Sequence, residues 1–428
     1  MAAPEAKVVD NLCTSLADCY AKELQKIWEE YPDVDEELLR MALRRRIGEL
    51  VPSAMGYPRI CNEVAEAIGC TAMVELSRLM EGCAPGAKVC VKLEYTNPGQ
   101  SIKDRIAKSM MDEAEESGKI SPEKVCVVDV SSGNTGISLG MLAASRGYRC
   151  IVVIPEGYSV ERRAMMMMYG VEVIVTSKDD KMDGVLKKLK EIADSLGEAA
   201  FCTQQFSNPA NIQAHVDHTG PEIWEQCEGR VDVFVAGCGT GGTLSGIGRY
   251  LKQKNEQLQL VAVDPLESAV LSGVAPGPHG IQGIGTPFIP DNVDFTWMDE
   301  IVLCPENEAL AMARRLAREE GLGVGISAGA NVWVALQLAR RPENAGKRIV
   351  TVLPSAAERY MNTALYRDLF EASKNLPTVC GDPEVDLTGF VNLLDLPART
   401  AATDIPLGDT LKASIAANQE VAAAAKRD

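Results

Sequence analysis

One lysine stands out for its setting. The run Asn97-Pro98-Gly99-Gln100-Ser101-Ile102-Lys103-Asp104-Arg105 places it behind a turn-forming Asn-Pro-Gly and at the head of a helical stretch. A cation at that position faces the positive end of the helix dipole. Lys103 is therefore expected to lose its proton more readily than a free lysine and to be able to condense with a carbonyl as a Schiff base. The competing reading is a solvated side chain in a charged first turn.

Three further loops add partners for such a lysine. Ser131-Ser132-Gly133-Asn134-Thr135-Gly136 follows an apolar run and opens a small-residue helix. Its amides and hydroxyls suit a carboxylate, although a plain strand-to-helix turn with capping hydroxyls reads the same way. Gly237-Cys238-Gly239-Thr240-Gly241-Gly242-Thr243 again joins an apolar run to a helix. Its glycines let the backbone close on a phosphate, and its threonines add hydroxyl donors. It lacks the Gly-Lys-Ser/Thr ending of a nucleotide P-loop and the spacing of the dinucleotide fingerprint, which favours a compact phosphate ester over a nicotinamide cofactor. Ser355, in Leu353-Pro354-Ser355, ends the last apolar run, where a parallel sheet brings its loops to one cleft.

The elements that must position these loops follow from the periodicity. Strands are expected at 125–130, 150–154, 172–176, 231–236, 258–263 and 348–353, with helix-length stretches between them. That alternation is the pattern of an α/β enzyme whose sheet is covered by helices on both faces. Ahead of it, Leu12, Leu16, Tyr20, Leu24, Ile27 and Tyr31 share one helix face, and 35–50 reads as a second helix, so residues 1–60 form a helical N-terminal extension that packs on the core or on a second subunit. Residues 61–372 form the core, with a smaller mobile domain at about 107–212 inserted in a larger one. Residues 373–428 are a Pro-, Asp- and Ala-rich extension expected to be partly disordered.

Composition narrows the class. The 428 residues are 46% hydrophobic and 24% charged, ordinary for a globular protein, and no apolar run has the length of a membrane span. The net charge of −17 repels nucleic acid. The thirteen cysteines include no Cys-x-x-Cys pair, which fits reduced thiols and a cytoplasmic protein better than a disulfide frame or a zinc site. His215 and His218 lack completing ligands and read as a polar helix surface, so no metal is expected. Met165 to Met168 read as helix packing and rim contacts.

Taken together, the four loops resemble the fold type II pyridoxal-phosphate family, and within it the cysteine synthases, also called O-acetylserine sulfhydrylases. The likeness spans about residues 68–369. It includes Gln204-Gln205-Phe206-Ser207-Asn208-Pro209-Ala210-Asn211, Thr219-Gly220-Pro221-Glu222-Ile223-Trp224, His279-Gly280-Ile281-Gln282-Gly283-Ile284-Gly285, Gly325-Ile326-Ser327-Ala328-Gly329-Ala330 and Glu358-Arg359-Tyr360. The resemblance implies a two-domain fold and pyridoxal 5′-phosphate on Lys103, which also transfers the α-proton. It implies that Gly239, Thr240, Gly241, Gly242 and Thr243 hold the phosphate, that Asn134 bonds the ring hydroxyl oxygen and that Ser355 meets the pyridine nitrogen. Ser131, Ser132, Asn134, Thr135 and Gln205 would grip the substrate carboxylate, and Gly283, Ile284 and Gly285 would line the substrate side.

The implied reaction forms L-cysteine from O-acetyl-L-serine and sulfide through an aminoacrylate. A homodimer and binding of the serine acetyltransferase C-terminus are implied as well. Cystathionine β-synthase-like or cyanoalanine-forming β-substitution, and a regulatory relative that only binds the acetyltransferase, are the competing readings. The chain departs from the family pattern at Gly69-Cys70-Thr71-Ala72-Met73-Val74 and at Ala356-Ala357, where an alanine for a glycine is expected to alter the backbone beside Ser355.

Overall fold

The computed structural model describes residues 60–375, apart from Ser132, Tyr158, Lys178 and Asp180. The expected N-terminal helical extension and almost all of the C-terminal extension lie outside the described residues. By contact the chain divides into a unit ending at Arg359 and another starting at Tyr360. The described part of the second unit holds one helix, Arg367–Lys374.

The first unit is built on two sheets. Strands β1 (Met73–Glu75), β2 (Lys88–Lys92), β3 (Cys126–Val130), β4 (Arg149–Pro155), β5 (Glu172–Thr176), β6 (Ala200–Cys202), β7 (Val233–Gly237), β8 (Gln259–Pro265), β9 (Glu300–Cys304) and β10 (Arg348–Val352) follow in chain order. Six of them form a sheet in the order β1-β2-β10-β7-β8-β9, and four form a second in the order β5-β4-β3-β6. Only β1 runs antiparallel to its neighbour.

The six expected strands all occur, with ends shifted by one or two residues. The short strands β1, β6 and β9 gave too little apolar periodicity to be read, and β2 was legible only as the onset of β-branched character near Val91. All four strands of the second sheet fall within the stretch expected as an inserted domain.

Burial explains why these runs become central strands. Val89, Val91, Val127, Val128, Val152, Val153, Val233, Val235, Leu260 and Val261 are fully enclosed, so consecutive residues are covered on both faces. Each such side chain contributes about 1.5–3 kcal/mol when removed from water. Phe234, Ala236, Leu260 and Ala262 pack against Leu244, Ile247 and Leu251 of the helix Gly242–Lys254. Val127, Val152 and Ile154 pack against Ile137, Leu142 and Met166 in the same way.

The helix carrying Lys103, Lys103–Glu116, is anchored by a buried charge cluster. Arg105 donates from Nε to Glu94 Oε2 at 2.7 Å and from Nη2 to Glu222 Oε2 at 2.7 Å. Lys92, itself fully buried, bridges to Glu222 at 2.7 Å and donates to Gln226 Oε1 at 2.9 Å. Burial alone would raise the carboxyl of Glu222, but hydrogen bonds and charge from Arg105 and Lys92 outweigh it and hold the group down at about 2. Thr71 and Asn97 donate to Glu94 at 2.7 and 3.0 Å, so both oxygens of that carboxylate are engaged.

Arg105→Met should leave Glu94 without its bonded cation and Glu222 with Lys92 alone. Thermal or denaturant unfolding is expected to report a loss of about 3–5 kcal/mol, with a much smaller loss for the exposed pair broken in Lys88→Met.

Candidate active site

Three of the four chemical loops leave the carboxyl ends of adjacent strands in the six-stranded sheet. The Lys103 turn follows β2, Pro354 and Ser355 follow β10, and the glycine loop follows β7. The fourth, at Ser131, leaves the end of β3 in the other sheet. Lys103, Asn134, Gly239, Thr240, Gly241 and Thr243 share one cavity with Gly283 and Ile284. Ile102, Gly237, Ser327, Asn331, Val352 and Pro354 complete its wall.

Local backbone geometry aims the lysine into this cavity. Ile102 donates its N–H to Pro354 O at 2.9 Å, and Ala356 donates to Gln100 O at 3.3 Å. Ser101 and Ser355 thereby form an antiparallel bridge, with both residues fully buried. Gln100 takes a left-handed φ of 59° to make the turn. Lys103 begins the helix, and its Nζ has no hydrogen-bond or ion-pair partner among the described residues. Burial pushes its ammonium down to about 8, opposed only by the nearby Cys238 sulfur. Burial also pushes the Cys238 thiol up to about 12, so that sulfur is protonated at neutral pH and offers little counter-charge.

The glycine loop is shaped by close approaches. A Cβ on Gly239 would lie 2.3 Å from Gly283 O, and one on Gly242 would lie 1.9 Å from Asn211 Oδ1. Gly241, the cap of the 13-residue helix Gly242–Lys254, has φ of 85°. Asn211 Nδ2 donates to Thr240 Oγ1 at 2.9 Å, and Thr243 Oγ1 meets His215 Nε2 at 3.2 Å. The loop is thus held from behind, and its amides and the helix N-terminus are available to an anion from the front.

His215 corrects the surface reading. It is 1% exposed, with Nδ1 2.9 Å from Thr219 Oγ1. Burial, then the charges of Arg105 and Lys103, hold it well below its ordinary value, so it is a neutral brace beneath the glycine loop. His218 does lie on the surface. No cluster of metal-ligating side chains occurs among the described residues. Of the four methionines, Met166 is fully buried against the core, while Met167 and Met168 are exposed.

At the Ser131 loop the hydroxyls are partly engaged. Ser131 Oγ accepts the N–H of Gly133 at 3.2 Å and of Gly136 at 2.9 Å. Thr135 Oγ1 donates to Gln205 Oε1 at 2.7 Å, while Gln205 Nε2 donates to Val130 O at 3.0 Å. A carboxylate entering here would have to exchange with the Thr135–Gln205 bond. Ser132 lies outside the described residues. Asn134 opens its helix at the cavity wall, with Oδ1 held by Arg359 at 2.7 Å. Gly285 lies beside Ile284, donating its N–H to Cys238 O at 3.0 Å.

Asn331 was not read from the sequence, although it directly follows the Gly325 to Ala330 stretch. Its Oδ1 accepts from Gly237 N at 2.8 Å and its Nδ2 donates to Val352 O at 2.9 Å, tying β7 to β10 in the cavity wall. At the Ala356-Ala357 departure neither alanine has a positive φ, so both residues stay outside the left-handed region that would favour glycine.

Residues 64–355 match the family described as pyridoxal-phosphate dependent enzyme. The chain is 49% identical over 330 residues to cysteine synthase 3 of Caenorhabditis elegans, covering 77% of this chain and 97% of that one. It is 45% identical over 306 residues to a cysteine synthase of Staphylococcus aureus, covering 71% and 97%. Among solved structures, the cysteine synthase of Entamoeba histolytica superposes with a TM-score of 0.71 at 38% identity, over 76% of this chain and 94% of that one. A lysine with a depressed amine, facing a glycine-rich helix start across a cavity in a two-sheet α/β fold, and relatives this similar over nearly their whole length, make this chain a member of the pyridoxal-phosphate-dependent enzyme family, in its cysteine synthase branch.

Proposed function

We propose that the chain replaces the acetoxy group of O-acetyl-L-serine with sulfide, releasing acetate and L-cysteine. The observation that carries this reading is the half-buried, unpartnered amine of Lys103, depressed to about 8 by desolvation and set across one cavity from the glycine loop. The residues present fit the cofactor. A nucleophilic amine, a helix N-terminus kept clear by Gly239 and Gly242, and a side-chain amide donor on Asn134 answer its carbonyl, phosphate and ring oxygen.

Pyridoxal phosphate, when bound, supplies the electron sink that lets a proton leave the α-carbon and a substituent leave the β-carbon. The chain's own groups do the rest. Lys103 Nζ holds the cofactor and, once released, accepts the α-proton. Amides and hydroxyls of Gly239, Thr240, Gly241, Gly242 and Thr243 take the phosphate. Asn134 Nδ2 donates to the ring oxygen, and Ser355 meets the pyridine nitrogen. A hydroxyl there stabilises a protonated ring less than a carboxylate would, which favours elimination and replacement over transamination. Ser131, Ser132, Asn134, Thr135 and Gln205 receive the substrate carboxylate, and Gly283, Ile284 and Gly285 line the opposite side.

Closure of the smaller, inserted domain over that carboxylate would exclude water from the reacting β-carbon. A homodimer, a cytoplasmic setting and docking of the serine acetyltransferase C-terminus in this cleft belong to the same reading. The described free thiols, Cys90, Cys126 and Cys150 among them, fit a reducing compartment.

O-acetylserine added to the purified yellow protein should displace the visible band of the lysine-bound cofactor, and sulfide should restore it with formation of cysteine. A yellow protein indifferent to O-acetylserine would point to another donor. Lys103→Met should abolish that band and lower cysteine formation by about 10²–10⁴-fold or more. Because the neutral amine is the nucleophile, capture of added pyridoxal phosphate by cofactor-stripped protein should rise with pH, with its midpoint near 8; a midpoint above 10, as for an exposed lysine, would contradict the burial argument.

A further inference from the structure

Arg359 is a large, fully buried cation next to the site, and the reaction assigned above gives it no part. Its Nη1 donates to Asn134 Oδ1 at 2.7 Å, and its Nη2 donates to Gly99 O at 2.8 Å. Nη2 also approaches Gln100 Oε1 at 3.5 Å. One guanidinium therefore reaches the helix that presents Asn134 and the strained turn that presents Lys103. The turn is held from the other side by Asp104, whose Oδ2 accepts Gly99 N at 2.6 Å and whose Oδ1 accepts the Ser138 hydroxyl. The hydrogen bonds from Ser138 and Gly99, and then the charge of Arg359, oppose the effect of burial on Asp104.

An asparagine amide has two ends of nearly the same shape and opposite hydrogen-bonding sense. A guanidinium has donors only, so the end of Asn134 that faces Arg359 must be oxygen. The two N–H donors of Nδ2 are then committed to the other direction, and Asn134 forms part of the cavity wall. We propose that Arg359 is a positioning residue that fixes the orientation of the Asn134 amide, so that a donor and never an acceptor faces the ring oxygen of the cofactor. This inference rests on the assignment of Asn134 to that oxygen.

The consequence is electronic as well as steric. A donor facing the ring oxygen favours its ionised form, whereas a flipped amide would set two acceptors against each other. Among the described residues no other hydrogen bond to the Asn134 amide selects between the two orientations. The holder also has to be planar and multiply donating, because it serves Asn134 and Gly99 at once, which a lysine ammonium does less well.

The test is a cycle of Arg359→Met, Asn134→Ala and the double variant. The readouts are the visible absorption of the lysine-bound cofactor and its dissociation constant, with thermal melting as a check on folding. Arg359→Met is expected to shift absorbance from the ionised to the neutral ring form and to weaken cofactor binding roughly ten- to a hundredfold. On the Asn134→Ala background the same substitution should leave the ratio of ionised to neutral ring form unchanged and cost distinctly less affinity, the remainder reporting the Gly99 contact, and Arg359→Lys should lie between Met and the native residue.

An equal loss from Arg359→Met in both backgrounds, or an unchanged spectrum in the native background, would overturn the proposal while leaving Asn134 its role. If Asn134→Ala alone leaves spectrum and affinity intact, the assignment of Asn134 fails and the proposal falls with it. Should Arg359→Met not fold, Arg359→Lys carries the same cycle: a spectral shift that disappears on the Asn134→Ala background supports the inference, and one that persists overturns it.

Discussion

The pairing of the Lys103 turn with the end of β10 is the constraint on which the site depends. Two backbone hydrogen bonds, Ile102 N to Pro354 O and Ala356 N to Gln100 O, bring residues some 250 positions apart in the chain into one antiparallel bridge. They also force Gln100 into a left-handed conformation that a non-glycine residue adopts at a cost. That cost is borne where it is useful, because the turn sets the lysine at the start of its helix and in the wall of the cavity. If the turn relaxed toward solvent, the amine would recover its hydration and its ordinary basicity.

Burying charge around the site creates a second constraint, met by matching cations to carboxylates. Arg105 and Lys92 share Glu94 and Glu222, while Asp104 is met mainly by hydrogen bonds from Ser138 and Gly99 and more weakly by the charge of Arg359. Lys103 is the exception. It lines the cavity, and no carboxylate bonds its Nζ among the described residues. Desolvation therefore prevails at Lys103, opposed only by the Cys238 sulfur, whereas at Arg105 it is overcome. The same physics thus keeps one cation permanently charged and makes its neighbour two residues away a ready nucleophile.

The glycine loop shows how packing and anion binding use the same residues. Gly239 and Gly242 have no space for a side chain because Gly283 O and Asn211 approach from behind. The front of the loop is consequently bare backbone. His215 and Asn211 reach the loop through the hydroxyls of Thr243 and Thr240, and both come from the segment that follows β6. The segment between the two sheets is therefore mechanically tied to the place where the phosphate is expected to sit.

Much of this was legible in the chain itself, for local reasons. Six strands could be read because runs such as 231–236 are apolar at consecutive positions, and the chemistry of Lys103, Asn134 and the 239–243 glycines depends on residue type and on position at a helix start. Strands β1, β6 and β9 were not legible, since three to five half-buried residues take their conformation from a neighbouring strand and leave little pattern of their own. Sequence alone also misread His215, because a histidine on a polar-looking helix is buried only by what folds over it. Residue types and local turns determined what this protein could bind and react with. The tertiary structure decided the basicity of Lys103, the orientation of Asn134 and the partners of Arg359, because desolvation and hydrogen-bond direction are set by atoms far away in the chain and near in space.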